Sequence, residues 1–224
     1  VRSSAASDVY KRQPDTYMEK LVVGAPAKGK VDLDRPVKEN LKIVADSLNR
    51  EIDDLTVVIL DRERHAKLIQ QVRDAGARIK LIEDGDLMAA MSVAVSGTAV
   101  HAVMGTGGAP EGVLAAAALR CLGGEILGRL KFRSEDERAR AKKMGIADEA
   151  RIYRTEDLAS GSDIRFVATG VTDGELLRGV RFFPRGVRTH SVLLDETRGQ
   201  VRFIDTQHFD DPANPPVIRS DFSH

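Results

Sequence analysis

Three short segments of this 224-residue chain combine side chains that bind anions with side chains that bind cations. Residues 61–65 read DRERH, residues 83–86 read EDGD, and residues 105–112 read GTGGAPEG. Guanidinium groups can grip a phosphate through two parallel hydrogen bonds. Closely spaced carboxylates bind divalent cations or accept hydrogen bonds from hydroxyl groups. The three segments therefore indicate a site for a small charged ligand.

The glycine-rich third segment offers a further way to bind an anion. Glycines let backbone N–H groups approach an anion closely, and a helix that follows directs its positive end toward it. Pro110 suits the first turn of such a helix, and the helix dipole favours Glu111 there. The segment is not a P-loop, because no Lys-Ser or Lys-Thr pair follows the glycines. It is interpreted either as a phosphate or metal site or as a turn with a helix-capping glutamate.

Structural roles are the alternative for the other two segments. Asp84 and Asp86 flank Gly85, and either carboxylate can simply cap the next helix. Arg62 and Arg64 can be ordinary surface arginines. Neither the histidines nor Cys121 show the spacing of zinc ligands. His65 and Cys121 are interpreted as structural, the latter as part of a helix core.

Buried strands that alternate with helices would position these three segments. The β-branched run TVVIL at residues 56–60 predicts a strand buried on both faces. The hydrophobic pattern predicts, in order, these further elements: a helix over 65–75, a strand over 78–82, a helix over 87–95, a strand over 99–104 and a helix over 111–122. Three strand–loop–helix units in a row predict an α/β layer with a largely parallel sheet. Because ligands bind outside the carboxyl ends of such strands, the three segments are expected to meet at one edge.

The remaining sequence predicts supporting structure. Residues 134–143 form a helix with a serine cap, an acidic first turn and a basic last turn, which is typical of a solvated helix. Strands are predicted over 164–168, 188–194 and 200–204, and the last two are predicted to form a hairpin. Residues 1–13 have no periodicity and are interpreted as a non-native or disordered leader. Residues 210–224 are predicted to be a polar, Pro-rich tail.

Composition excludes several classes of protein. No apolar run approaches the roughly 20 residues needed to span a bilayer, and no signal peptide is recognisable. Lys plus Arg and Asp plus Glu number 34 each, and aromatic residues make up 4% of the chain, which argues against a nucleic-acid partner. The single cysteine cannot form an internal disulfide, which is typical of a cytoplasmic protein.

Read together, the motifs resemble those of the class II fructose-1,6-bisphosphatases. The resemblance rests on residues 14–20 (PDTYMEK), 84–86 (DGD), 107–112 (GGAPEG) and 166–170 (FVATG), with 174–177 (GELL) adding support. It runs from Pro14 to about Phe209. The resemblance implies a layered α/β sandwich of the sugar-phosphatase type, related to inositol monophosphatase, and hydrolysis of the 1-phosphate of fructose 1,6-bisphosphate with Mn²⁺ or Mg²⁺ in gluconeogenesis. It also implies a cytoplasmic homo-oligomer.

The resemblance implies roles for individual residues. The positions that match substrate contacts of the family are these: Tyr17, Arg62, Glu63, Arg64, Asp84, Gly85, Asp86 and Gly108. Glu111 matches a metal ligand. The family often has a Lys-Pro-Arg type sequence where this chain has Arg62-Glu63-Arg64. At the first of these positions the positive charge is retained, but the side chain is a different one.

The family's other metal ligands and its water-activating acids lie N-terminal to the tyrosine motif. The hypothesis at this point is that the chain is the C-terminal portion, residues 14–209, of a phosphatase truncated at its N-terminus, without catalytic residues of its own and inactive. Two alternatives stay open: a sedoheptulose-1,7-bisphosphatase or dual bisphosphatase, and a non-catalytic sugar-phosphate-binding module.

Overall fold

The computed structural model describes residues 16–146, 148–174 and 176–210, which form a layered α/β structure with two β-sheets. The first sheet contains β1 (Tyr17–Val23), β2 (Thr56–Leu60), β3 (Arg78–Ile82), β4 (Ala102–Gly108) and β5 (Glu125–Lys131). The helices are α1 (Val37–Ser47), α2 (Ala66–Ala75), α3 (Asp86–Val93), α4 (Ala109–Leu122), α5 (Glu135–Lys143) and the short α6 (Thr155–Leu158). Predictions for the leader 1–13, for the tail beyond residue 210, and for Pro14, Asp15 and Glu175 of the motifs fall outside the described residues.

The first sheet has the strand order β3-β2-β4-β1-β5. β2 pairs in parallel with β3 and β4, whereas β1 pairs antiparallel with both β4 and β5. Four of its strands therefore run in one direction, as the prediction of a largely parallel sheet requires. The antiparallel direction of β1 places Tyr17, its first residue, at the edge where the parallel strands end.

Helices cover both faces of this sheet. Val57 and Ile59 of β2 pack into a core beneath α1 and α2, and Val58 packs into a second core beneath α3 and α4. Because both faces of β2 are buried, all of its residues can be apolar. A strand buried on one face only would alternate apolar and polar residues. The layered α/β sandwich is confirmed.

The second sheet is antiparallel and covers the outer side of α3 and α4. It contains β6 (Arg165–Thr169), β7 (Arg181–Phe183), β8 (Gly186–Asp195) and β9 (Gln200–Phe209). β6 and β7 pair with successive parts of one edge of β8, and β9 pairs with its whole length. Phe166, Val192 and Leu194 form a third core with α3 and α4. The predicted hairpin is confirmed, although both of its strands are longer than predicted.

The third predicted strand is also wrong in its bounds. The third strand begins at Ala102, not Ala99, because Ala99 has a left-handed φ of 54°. It then continues through Gly108, so residues 105–108 are strand rather than loop. Their backbone pairs with residues 17–20 of β1, an interaction that the local pattern cannot show.

Among the described residues, no helix combines the length and the hydrophobicity that crossing a membrane requires.

Candidate functional site

The predicted site residues converge at one edge of the first sheet. The segments after β2, β3 and β4 lie side by side because these three strands are neighbours. Tyr17 joins them from β1, where it lies opposite Gly108 in the strand register. The structure thus brings together residues that are far apart in sequence, at the carboxyl ends of parallel strands.

Arg64 connects the first segment to the end of β4. Its Nε and Nη2 donate to the Thr106 carbonyl oxygen over 3.1 and 2.8 Å. Its guanidinium carbon lies 4.9 Å from the centroid of the Tyr17 ring. A planar guanidinium over an aromatic face is a cation–π contact. Arg64 and Tyr17 therefore form one charged surface beside β4.

Arg62 connects the first segment to the second. Its Nη2 donates to the Glu83 carbonyl oxygen over 2.6 Å, and its Nη1 donates to the Asp61 carbonyl oxygen over 2.7 Å. Glu63 begins a short 3-10 turn and is exposed. The structure therefore holds Arg62 against the second segment, and it presents Glu63 to solvent.

The two aspartates of the second segment have different surroundings. Asp84 is exposed, and its Oδ1 accepts the N–H of Gly85 over 2.8 Å. Gly85 has a left-handed φ of 88°, which explains a glycine there. Asp86 begins α3, and its Oδ2 lies 2.7 Å from the Nζ of Lys20, a buried residue of β1. Lys20 was not among the predicted site residues.

Charged side chains pack directly on the backbone of two glycines in β4. A Cβ at Gly107 would lie 2.5 Å from Oδ2 of Asp86 and 3.2 Å from Nζ of Lys20. A Cβ at Gly108 would lie 2.0 Å from Oε2 of Glu111. A Cβ at either position would require the carboxylate of Asp86 or Glu111 to move, so the glycines make room for these carboxylates where they lie.

Glu111 is an exposed carboxylate in the first turn of α4, folded back toward Gly108. Over the part of the chain that the structure describes, no three or more His, Cys, Asp or Glu side chains gather closely enough to hold a metal ion. The described residues therefore do not form a metal site by themselves. Glu111 can offer a single carboxylate oxygen ligand to one.

His65, which sequence reasoning assigned a structural role, connects β2 with β4 next to the site. Its buried ring lies with Nδ1 2.7 Å from the Leu60 carbonyl oxygen, and its Nε2 accepts the N–H of Thr106 over 2.8 Å. A ring that accepts at Nε2 and faces a carbonyl with Nδ1 is neutral and protonated at Nδ1. The His65 ring thus joins the last residue of β2 to β4, where the two backbones do not bond to each other directly.

Arg133 and Glu137 also lie at this edge and were missed by sequence reasoning. The guanidinium carbon of Arg133 lies 4.5 Å from the Tyr17 ring centroid. Glu137 is buried, and the hydrogen bonds from Arg133 hold the pKa of its carboxyl at about 2. Glu137 belongs to the segment 134–143 that was interpreted as a solvated helix, so that interpretation is wrong for Glu137; Arg133 directly precedes the segment. Local sequence gives no signal for the contact, because Tyr17 is more than a hundred residues away.

Other chemically reactive side chains lie elsewhere. Cys121 is half-buried in α4, and burial raises the pKa of its thiol to about 11, which suits the predicted core role. His101 accepts the N–H of Thr56 through Nδ1, and burial lowers the pKa of its imidazole. His190 accepts the N–H of Arg178 and stacks on Phe203 in the second sheet. These three residues have local partners of their own.

Sequence comparison connects this arrangement with known proteins. The family described as bacterial fructose-1,6-bisphosphatase, glpX-encoded, matches residues 2–208. The D-fructose 1,6-bisphosphatase class 2/sedoheptulose 1,7-bisphosphatase of Synechococcus sp. (strain JA-3-3Ab) is 50% identical in an alignment 218 residues long that covers 92% of this chain and 63% of that protein. A protein of the same name from Microcystis aeruginosa (strain NIES-843 / IAM M-2473) is 49% identical in an alignment 212 residues long that covers 89% of this chain and 61% of that protein. The one from Synechocystis sp. (strain ATCC 27184 / PCC 6803 / Kazusa) is 47% identical over 218 residues, with 92% and 63% covered. The chain spans roughly three fifths of the length of these curated relatives.

Proposed function

The chain belongs to the family of bacterial, glpX-encoded fructose-1,6-bisphosphatases, and we propose that it carries the substrate-binding residues of a phosphatase that converts fructose 1,6-bisphosphate to fructose 6-phosphate. One observation supports this most strongly. Arg64 contacts both Tyr17 and Thr106, so two predicted substrate residues, one from β1 and one from the loop after β2, share a surface with the end of β4. A surface built from several separate loops is suited to an extended ligand with charge at both ends.

The residues divide by chemistry into two groups within this proposal. Arg62 and Arg64 would bind the phosphate that is not hydrolysed, because guanidinium groups match its oxygens in geometry and charge. Tyr17 would donate from its hydroxyl to the same phosphate. Asp84 and Asp86 would accept hydrogen bonds from sugar hydroxyls, which leaves the sugar oriented between the two phosphates.

Glu111 would supply one ligand to a divalent cation, Mn²⁺ or Mg²⁺, near the phosphate that is removed. Such a cation supplies charge neutralisation and activates water in phosphate hydrolysis. Both ions prefer oxygen ligands, and the carboxylate of Glu111 fits that preference. The remaining ligands would have to come from sequence outside the described residues.

The named relatives favour a second substrate. Their names combine fructose 1,6-bisphosphatase with sedoheptulose 1,7-bisphosphatase. Both substrates carry a phosphate at each end of a sugar, and the groups proposed here bind phosphates and hydroxyls. We therefore propose the sedoheptulose bisphosphate as an alternative substrate, and comparison of kcat/KM for the two sugars distinguishes them. We also propose a cytoplasmic location, from the composition, and a homo-oligomer, from the family; light scattering of the purified protein tests the oligomeric state.

Phosphate release from fructose 1,6-bisphosphate with Mn²⁺ tests the proposed function. The chain would be measured alone and joined to the N-terminal part of the Synechococcus relative. We expect release from the joined protein, and its loss in Glu111→Gln but not in Glu149→Gln, an exposed glutamate paired with Arg138. A joined protein that folds and releases no phosphate would mean that the substrate or the reaction is wrong. Binding of the sugar bisphosphate by that protein without hydrolysis would favour the non-catalytic binding module.

A further inference from the structure

Two arginines share the ring of one predicted substrate residue. The guanidinium carbons of Arg64 and Arg133 lie 4.9 and 4.5 Å from the centroid of the Tyr17 ring. Their separation therefore cannot exceed the sum of these two distances. Two guanidinium groups on one aromatic ring concentrate positive charge at this edge of the sheet, and such a concentration attracts an anion.

The topology explains how the two arginines reach Tyr17 from different sides. β1 lies between β4 and β5 in the sheet, and Tyr17 pairs with Gly108 on one side and with Lys131 on the other. Arg64 approaches over the β4 side, where it is bound to the Thr106 carbonyl. Arg133 follows β5 by two residues and approaches over the other side. The Tyr17 ring is thus the centre of a cationic surface that spans three strands.

Arg133 is held in a fixed orientation by a buried carboxylate. Its Nε lies 2.8 Å from Oε1 of Glu137, its Nη2 pairs with the same oxygen, and its backbone N–H donates to Oε2 over 2.9 Å. The Thr16 hydroxyl lies 2.9 Å from Oε2 of Glu137 and 2.8 Å from the Lys131 carbonyl oxygen, and it shares its one proton between these two acceptors. Glu137 lies in the first turn of α5, where Ser134 caps the helix by accepting its N–H. Four hydrogen-bonding interactions therefore fix this carboxylate below the guanidinium.

The exposure of the pair favours anion binding. The Arg133 side chain is 53% exposed, whereas that of Glu137 is 6% exposed. The surface therefore presents the cation, and the neutralising anion is hidden beneath it. An arginine that served only to stabilise α5 would not need to lie over Tyr17.

We propose that Arg133 is a further substrate-binding residue that contacts, with Arg64 and Tyr17, the phosphate that is not hydrolysed. The proposal rests on the proposed function. It adds to that site a residue from the other side of β1, where β1 pairs with β5. In it, Arg133 donates to phosphate oxygens from the guanidinium edge that faces away from Glu137. Glu137 acts as a positioning residue, because it orients Arg133 and lies too deep to touch the ligand.

Isothermal titration of the full chain with two sugar monophosphates tests this assignment. Fructose 6-phosphate carries the phosphate in question, and fructose 1-phosphate lacks it. We expect Arg133→Met to raise the Kd for fructose 6-phosphate about ten-fold or more, as the loss of a charge-assisted contact does. The Kd for fructose 1-phosphate is expected to stay within about two-fold, because that ligand does not reach Arg133.

Two further variants separate binding from folding. Arg133→Lys keeps a cation beside Glu137 but loses the planar fork, so it is expected to fold like the wild type and to bind fructose 6-phosphate about three-fold or more weakly. Arg138→Met removes an arginine of α5 that pairs with Glu135 and Glu149, and it is expected to leave both affinities unchanged. Thermal unfolding of each variant shows whether the fold is retained.

The outcomes are distinct. Unchanged affinity for fructose 6-phosphate in folded Arg133→Lys, or an equal loss for both ligands, would overturn the assignment of Arg133 while the proposed function stands. A wild-type chain that folds and binds neither ligand would instead contradict the proposed function itself. A selective loss for fructose 6-phosphate supports both.

Discussion

The ammonium nitrogen of Lys20 lies 2.7 Å from Oδ2 of Asp86, and both groups lie against the backbone of Gly107. Lys20 belongs to β1 and Asp86 begins α3, so the ion pair joins the sheet to the helix that carries the predicted site turn. The side chains are only 7% and 14% exposed. Removal of one partner would therefore leave the other as a buried, unpaired charge.

We expect Lys20→Met to lower the free energy of unfolding by roughly 3 kcal/mol, the usual cost of breaking a buried pair from one side. Urea unfolding measures the change. Lys28→Met is the matched control, because Lys28 pairs with Glu156 at the surface and its removal should cost less than about 1 kcal/mol. Equal effects of the two substitutions would show that the Lys20–Asp86 pair is not buried as described.

Gly107→Ala tests the close packing of that ion pair on β4. The added methyl group would lie 2.5 Å from Oδ2 of Asp86, so Asp86 must move and the protein should lose about 1–3 kcal/mol. In Gly174→Ala the methyl group would lie 3.6 Å from the Leu177 carbonyl, an ordinary contact, and we expect little change. Urea unfolding of both variants gives the comparison, and an unaffected Gly107→Ala would contradict the packing.

His65→Ala tests the connection between β2 and β4. The substitution leaves the Leu60 carbonyl and the Thr106 N–H without their partner, which should cost roughly 2–3 kcal/mol. His208→Ala is the control, because His208 is exposed and contacts only the Thr189 hydroxyl among the bonds described for its ring. Nitrogen NMR of the wild type should show the His65 ring neutral with its proton on Nδ1, and the opposite tautomer would exclude the bridge.

The Glu137 carboxyl predicts how stability depends on pH. The pKa of this group is lowered from 4.5 to about 2, first of all by its hydrogen bond with Arg133. Because the folded pKa lies below the unfolded one, the carboxylate stabilises the fold above about pH 4.5, and the contribution is lost as the pH falls toward 2. Glu137→Gln should therefore be less stable than the wild type at neutral pH, with a difference that shrinks across this window.

Urea unfolding at a series of pH values measures that difference. The control is Glu149→Gln, an exposed glutamate that pairs with Arg138, whose difference from the wild type should be small. A Glu137→Gln difference that stays constant on acidification would contradict the lowered pKa.

The sequence predicts the parts of the fold that depend on local pattern. The bounds of β2 and β3 are confirmed because both are short runs bounded by clear breaks, and the run of β2 is buried on both faces. β1 and β5 are not predicted, because Glu19, Lys20 and Arg129 interrupt their apolar pattern. These charges are stabilised by partners distant in sequence: Glu19 pairs with Arg129, and Lys20 with Asp86.

The candidate site, like the fold, could be predicted only where local sequence pattern determines it. The convergence of the three segments after β2, β3 and β4 follows from a parallel sheet, and it is confirmed. The contacts of Tyr17 with Arg64 and Arg133 depend on the antiparallel direction of β1, which no local pattern reveals. The glycine-rich segment was interpreted either as a phosphate or metal site or as a turn with a capping glutamate, and local pattern did not show that Asp86 and Glu111 pack on its glycines.

The central claim is that the surface around Tyr17 and Arg64 binds a sugar bisphosphate, and metal-free titration of fructose 1,6-bisphosphate into the full chain tests it most directly. We expect saturable binding to the wild type, and a Kd raised about ten-fold or more in Arg64→Met, with Arg138→Met unchanged. Binding that is equally strong in folded Arg64→Met, or a folded wild type that binds no fructose 1,6-bisphosphate, would contradict the account.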